Sequence, residues 1–457
     1  MACVLAAGCV TEPTNQPNKN ATPSNSPVAN LSPSPATEKV ASAEPITLAV
    51  LDAFFSEQGF PELLKDRLRI SDEQIGKLKE LARDETARLN EAKAGQAEGE
   101  GAAARAMAEE KISGVIGKEK AVELAGLVRE RWGSFADDNS DKTAPDSKSK
   151  SEDNKSGAAN GVPSDSRIVV NAPAYRMDVF EAGRLIKSYK IGIGYPQFPL
   201  PTGLRRASTI IFNPSWTPPD EPWVARMKNV KAGEKVEAGS KLNPLGPIKI
   251  PIGGPSLIHG GKSPAKLGTF ASHGCVGLTT PQVQDFAKIL ARMGGATLTD
   301  EDMAKFAREK TETKQVKLKP VPVELRYETI VAEDGKLHIY RDVYDQGTNT
   351  EDKLREVLAA AGVKLEDLTE DERAQVLNAL AQMSGQSSAR NVPAGPTPST
   401  GSASANSNSK AKAARATRIQ KNQKEVVIDV AALKGKGYPA AANLDTGSGK
   451  TKSAKGM

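Results

Sequence analysis

Three histidines and three cysteines serve a chain of 457 residues, and they are unevenly placed. His259, His273 and Cys275 fall within the short stretch Ile258 to Leu278, and Cys275 is the only cysteine beyond position 9. A thiol attacks as thiolate, and an imidazole takes up a proton near neutral pH, so this grouping suits a nucleophile and its base. Five glycines in the same stretch let the backbone turn tightly and bring N–H groups close to a ligand. The N–H groups of Gly274 and Cys275 are the candidate oxyanion donors, each able to contribute about 3–4 kcal/mol. Two other arrangements use the same residues: a buried free cysteine beside incidental histidines, and a zinc site of one Cys and two His, for which no fourth ligand is evident. Two of three histidines flanking the mid-chain cysteine favours nucleophilic catalysis.

The residues His259-Gly260 and Ser272-His273-Gly274-Cys275-Val276 resemble the signature of the L,D-transpeptidases, the YkuD family. Pro201-Thr202-Gly203, the run Asn213 to Pro219 and Leu245-Gly246 are similar to that family's approach to its site. The likeness runs from about Ser166 to Tyr344, some two-fifths of the chain. It departs at Gly277, where the family commonly carries Arg or Asn, and the departure bears on donor-substrate recognition. The resemblance implies that Cys275 attacks the L-to-D bond before the terminal D-Ala of a peptidoglycan stem tetrapeptide. His259 would then be the proton acceptor and donor, with the Gly260 carbonyl orienting its other ring nitrogen. His273 would line the pocket for substrate or oxyanion support; its position two residues from the thiol leaves it a second candidate base.

An amine, from a neighbouring stem or from a protein to be attached to the wall, would resolve the thioester. The partners implied are peptidoglycan and such an acceptor protein, with no cofactor and no nucleic acid. Water as acceptor would instead make an L,D-carboxypeptidase, and a degenerate site would leave a wall-binding lipoprotein. Around the motif, Arg205 and Arg206 follow the Pro-Thr-Gly turn and could receive a substrate carboxylate or simply be solvated. Trp216 and Trp223 bracket Pro218-Pro219 and either cover the cleft or form a loop core. Ser272 either fixes His273 or makes a local turn.

The elements that must position these residues follow from pattern. Short strands punctuated by Gly and Pro run from Arg167 to Leu278, including a hairpin across Glu181-Ala182-Gly183, which predicts a β-sandwich or barrel. Thr280 to Met293 reads as a helix after the cysteine motif, with Val283, Phe286, Ile289 and Leu290 on one face. Pro322 to Tyr327 and Leu337 to Tyr344 read as strands closing the same domain, with His338 facing solvent. The fold class expected is therefore a mainly β catalytic domain over residues 166–345. Before it lie a tether (1–45), a helical segment (46–135) and a linker (136–165); after it come short helices (346–385) and a basic, largely disordered tail (386–457). The helical segment carries a capping box at Ser71 and Gln74 and a second helix from Ala102 to Arg131. Val426 to Val430 reads as an isolated strand.

Charge and termini bound the surroundings. From Arg390 onward 12 Lys and Arg face 3 Asp and Glu, so with +6 overall the remainder is slightly acidic and nucleic acid is not its natural partner. Leu5-Ala6-Ala7-Gly8-Cys9 resembles a bacterial lipobox, with Cys9 the lipidated residue. Its apolar run is shorter than the roughly 7–15 residues of a signal core, so this is either a leader cut short at its start, the reading preferred, or an accidental likeness. A long polar tether follows, as an anchored protein needs. Val10 in place of Asp points to the outer membrane, so the expected location is the periplasm or cell envelope.

Overall fold

The computed structural model describes residues 46–134 (except 58, 91–92 and 96–98), 160–384 and 423–447. Cys9, the tether, most of the 136–165 linker, and residues 385–422 and 448–457 lie outside the described residues. Among those described, no helix is long and apolar enough to cross a membrane.

Five helices come first: α1 (Leu48–Phe55), α2 (Phe60–Leu68), α3 (Asp72–Arg88), α4 (Glu100–Ile116) and α5 (Lys118–Ser134). Ser71 and Gln74 form the expected capping box at the start of α3. The single helix expected from Ala102 is instead α4 and α5, broken at Gly117, whose φ of 83° has left the helical range. Phe54, Phe60, Leu64, Leu78, Leu124 and Val128 are fully buried in a separate apolar core.

The catalytic region is built on one curled, mixed, eight-stranded sheet. Its strands are β1 (Arg167–Asn171), β2 (Arg176–Glu181), β3 (Arg184–Lys190), β5 (Gly203–Phe212), β6 (Ile248–Pro251), β7 (Leu257–His259), β9 (Val276–Gly277) and β10 (Lys314–Arg326). Their order is β3-β2-β1-β10-β5-β6-β7-β9. Only β1 with β10 and β7 with β9 run parallel. A small parallel pair, β4 (Ile193–Gly194) and β8 (Phe270–Ser272), lies apart from it. The short helix α6 (Pro222–Ala225) sits in the excursion between β5 and β6, and α8 (Asp300–Arg308) precedes β10. Helix α7 (Thr280–Met293) lays Val283, Phe286 and Leu290 against the sheet's core with Ile168, Met177, Ile250, Ile258 and Val276. A 3.6-residue period set against a period of two builds this core.

The strands expected to close the catalytic domain partly do something else. Pro322 to Arg326 do belong to β10, in the middle of the large sheet. However, β11 (Ile330–Glu333), β12 (Lys336–Tyr340) and β13 (Glu425–Asp429) form a three-stranded sheet of their own. It shares a core with α9 (Glu351–Ala360) and α10 (Glu370–Met383). The strand near Val426 is therefore not isolated: Leu337 pairs with Ile428, and both are buried. His338 is not solvent-facing either, because β13 puts Glu425 beside it, 2.5 Å from Nδ1.

Candidate active site

The parallel pairing of β7 with β9 builds the site. Ile258 lies opposite Val276 and His259 opposite Gly277. Ile258 and Val276 point into the core and are fully buried. Side chains alternate along a strand, so Leu257, His259 and Cys275 face the other way. Cys275 immediately precedes β9, and counting the register back one step sets it opposite Leu257, two positions along the ladder from His259. That face is overlaid by the excursion between β5 and β6, where Trp216, Val224, Val230 and Leu245 form a small core with Trp223 and Leu257 against it.

His259 is buried, and its Nδ1 lies 2.8 Å from the Gly260 carbonyl oxygen. A carbonyl only accepts, so Nδ1 carries the proton and Nε2 keeps its lone pair. Burial, reinforced by the Lys262 ammonium, lowers the imidazole pKa to about 3, against the opposing pull of the Gly260 and Leu245 carbonyls. The ring is neutral at physiological pH, as a base must be before it accepts.

Cys275 is half-buried, and burial pushes its thiol above the usual range, while the Leu257 backbone and Lys262 pull it down and Glu221 adds to the rise. Its thiol hydrogen bond goes to the Pro255 carbonyl at 3.9 Å, not to an imidazole. Thiol and base are therefore both neutral as folded, and a rotation of the Cys275 side chain must precede proton transfer. Of the two expected oxyanion donors, the Cys275 N–H is already given to Ser272 Oγ at 3.0 Å. The Gly274 N–H has no acceptor among the described residues, and a φ of 92° there requires glycine. Ser272 also donates to the Cys275 carbonyl at 2.6 Å. It is a clasp on the backbone of Cys275, the local turn that was one of its two expected roles.

His273 belongs to an aromatic stack. The Trp223 indole lies on it face to face, with centroids 4.2 Å apart and planes 12° apart. Phe198 and Tyr195 meet it edge-on at 4.9 and 5.3 Å. Trp216 lies one layer further out, stacked on Trp223 at 6.1 Å. Of the two tryptophans Trp223 is the one that lies on His273, while Trp216 is buried in the loop core and hydrogen-bonds through its backbone to Val236 in both directions. Beneath the stack, Trp223 Nε1–H donates to Glu221 Oε2 at 2.8 Å. Burial, aided by Asp52 of α1 and opposed by the Trp223 hydrogen bond, raises the Glu221 pKa to about 7. Burial likewise lifts Asp52 to about 6. Arg83 of α3 grips the neighbouring Asp220 with both terminal nitrogens, at 3.0 and 2.7 Å. Val50, Ala53 and Phe54 of α1 and Trp132 of α5 line a narrow crevice whose other wall is Phe198, His273 and Gly274.

Arg205 and Arg206 do not join the site. Arg205 faces the core opposite Val323, and among the described residues its one acceptor is the Thr202 carbonyl at 3.5 Å, with Nε and Nη1 finding none. Burial lowers its pKa to about 10. Alternation turns Arg206 outward, where it is exposed. The cation near the thiol is Lys262 instead. Its stem lies where a side chain at 277 would stand, with Cγ 2.8 Å from the Cβ position of Gly277, and its Nζ donates to the Ala271 carbonyl at 2.8 Å. Lys262, Glu221 and Asp52 were not legible as site residues in the sequence. The one signal was departure from the usual Arg or Asn at 277, which leaves room for a cation from elsewhere. Among the described residues no three His, Cys, Asp or Glu side chains converge as a metal would require.

Residues 165–321 match the family model of the YkuD L,D-transpeptidase catalytic domain. No protein of curated function matches the chain. Among solved structures, a mutant L,D-transpeptidase of Enterococcus faecium is similar at 14% identity, over 35% of this chain and 50% of that one, with a TM-score of 0.22. An L,D-transpeptidase of Mycobacterium smegmatis aligns at 15% identity over 35% of this chain and 58% of that one, with a TM-score of 0.21. The isolated catalytic domain of the E. faecium enzyme is covered in full, at 16% identity over 36% of this chain and a TM-score of 0.21. This chain spans about half the length of the first of these relatives.

Proposed function

We propose that the protein is an L,D-transpeptidase acting on peptidoglycan stem tetrapeptides through a Cys275 acyl-enzyme. The observation that carries the reading is the parallel pairing of β7 with β9, which brings the strand holding a neutral, carbonyl-oriented imidazole alongside the one that follows a half-buried thiol. The family match over residues 165–321 supports the same chemistry.

In this mechanism the Cys275 thiol turns from the Pro255 carbonyl, and Nε2 of His259 takes its proton as sulfur adds to the carbonyl carbon before D-Ala. The oxyanion is met by the Gly274 N–H. Collapse breaks the C–N bond, the imidazolium returns the proton to the leaving nitrogen, and D-Ala departs, leaving a thioester. A side-chain amine of a second stem, or of a protein, adds to the thioester carbonyl and gives its proton to His259. Sulfur leaves and is reprotonated, and an amide joins the two chains. The burial that holds the resting thiol neutral also protects it between turnovers; the positive Lys262 offsets part of that cost when charge develops. The substrate places the protein in the periplasm or cell envelope, with a Cys9 lipid anchor as the means of attachment.

The test is D-Ala release and dimer formation from a purified disaccharide-tetrapeptide, with covalent capture of imipenem read by mass spectrometry. Both are expected in the wild type and absent from Cys275→Ala. Capture retained by that variant overturns the assignment of the nucleophile, and free tripeptide without dimer moves the reaction to hydrolysis.

A further inference from the structure

Glu221 has no place in the reaction just described, yet it is a buried carboxylate in the tryptophan loop, next to the Asp220 that α3 binds and hydrogen-bonded to the indole that lies on His273 of the thiol loop. Its oxygen accepts the Trp223 indole proton at 2.8 Å, and Trp223 lies flat on His273 at 4.2 Å. His273 is followed directly by Gly274, whose N–H is the remaining oxyanion donor. The other side of the loop is fixed by the helical segment: Arg83 binds the Asp220 carboxylate and also its carbonyl, at 3.0 Å, while Arg226 reaches back to the Ala87 carbonyl at 3.1 Å. An indole has one polar atom, at its edge, and two apolar faces, so a single acceptor at that edge decides where the ring lies along the stack.

We propose that Glu221 is a positioning residue: by holding the Trp223 N–H it sets the indole against His273 and so fixes the loop that carries Gly274 and Cys275, with α3 as the outer brace. The proposal rests on the transpeptidase reading for its effect on turnover, but not for its effect on geometry.

The experiment therefore uses two readouts in the full-length protein. The first is the proton NMR shift of the His273 ring, assigned by its loss in His273→Gln; a ring under an indole face at this distance is shifted upfield. The second is the rate of D-Ala release from the tetrapeptide. In Glu221→Ala the upfield shift collapses and kcat falls about 10–100-fold with KM little changed, the scale of a misplaced catalytic loop. Glu221→Gln keeps an acceptor oxygen and restores the shift and most of kcat. Trp223→Phe keeps an aromatic face without the N–H, and Glu221→Ala added to it costs no further activity, because the two residues act as one unit. An unmoved His273 signal in Glu221→Ala, or full additivity of the two substitutions, overturns the proposal. If the wild type releases no D-Ala but the His273 shift responds as described, the positioning role stands and the assigned substrate falls.

Discussion

Gly260 offers a sharp test of how the base is held. Its carbonyl orients His259, its N–H donates to Ile248 at 3.1 Å, and a Cβ added to it would stand 2.6 Å from Cγ1 of Val283 and 3.3 Å from Cδ of Pro247. Val283 is fully buried on α7, so its methyl has nowhere to go. Gly260→Ala must therefore push α7 from the sheet or tilt the peptide that carries the carbonyl. Overpacking of this kind costs about 1–3 kcal/mol. At about 2 kcal/mol the thermal midpoint of a domain of this size falls by roughly 4–8 °C. Tilting the carbonyl releases Nδ1, and turnover should fall about 10–100-fold. Val283→Ala removes two methyl groups, about 1.6 kcal/mol of apolar transfer, but opens the space the new Cβ needs. The double variant should then be more stable than the sum of the singles by about 1–2 kcal/mol and should recover part of the activity. Calorimetry and D-Ala release on the four proteins decide it. Additive losses, or a Gly260→Ala protein with unchanged midpoint and activity, would refute the packing argument.

Other outcomes follow from the charges around the thiol. Lys262→Met keeps the stem over Gly277 but removes the ammonium that stabilises the thiolate, so iodoacetamide should alkylate Cys275 about 3–10-fold more slowly at pH 7–8, one pKa unit being tenfold. The same alkylation profile in the wild type should show no step from His259 between pH 5 and 8, since that ring titrates near 3. Asp52 and Glu221 titrate at about 6 and 7 in the fold, above their ordinary values of 3.8 and 4.5. The folded state therefore holds their protons more tightly than the unfolded one. Their contribution is whole below about pH 4 and is lost as pH climbs through 6 to 7. Urea midpoints should fall over that window, and Asp52→Asn should flatten the Asp52 part; an unchanged slope would count against it.

The thiol, its imidazole and the helix after them were legible because they are local. His259 and Cys275 sit within 17 positions, and the 3.6-residue period of α7 lies in a single run, Val283 to Leu290. The capping box at Ser71 was readable for the same reason. What escaped depends on pairings that no local pattern encodes. Asp52 feels Glu221 only because the helical segment docks on the tryptophan loop through Arg83 and Asp220, and Lys262 fills the place of the missing side chain at 277 only because β7 and β9 are neighbours. Arg205 misled because strand parity, not the turn before it, decides which way a side chain points. β12 and β13 went unpaired in the sequence reading because 84 residues separate Tyr340 from Glu425.

That last separation orders events during synthesis. The three-stranded sheet keeps β12 as an open edge until Glu425–Asp429 arrives, and Tyr438 then adds a hydrogen bond to Asp178 in β2 at 3.1 Å. Beyond it, Asp445 accepts from Lys190 at 2.9 Å and from Gln282 Nε2 at 2.8 Å, tying the far end of the polypeptide to β3 and α7. A ribosome that stops near residue 420 would release a protein holding every reactive group yet lacking its fastening, with a bare strand ready to find another chain.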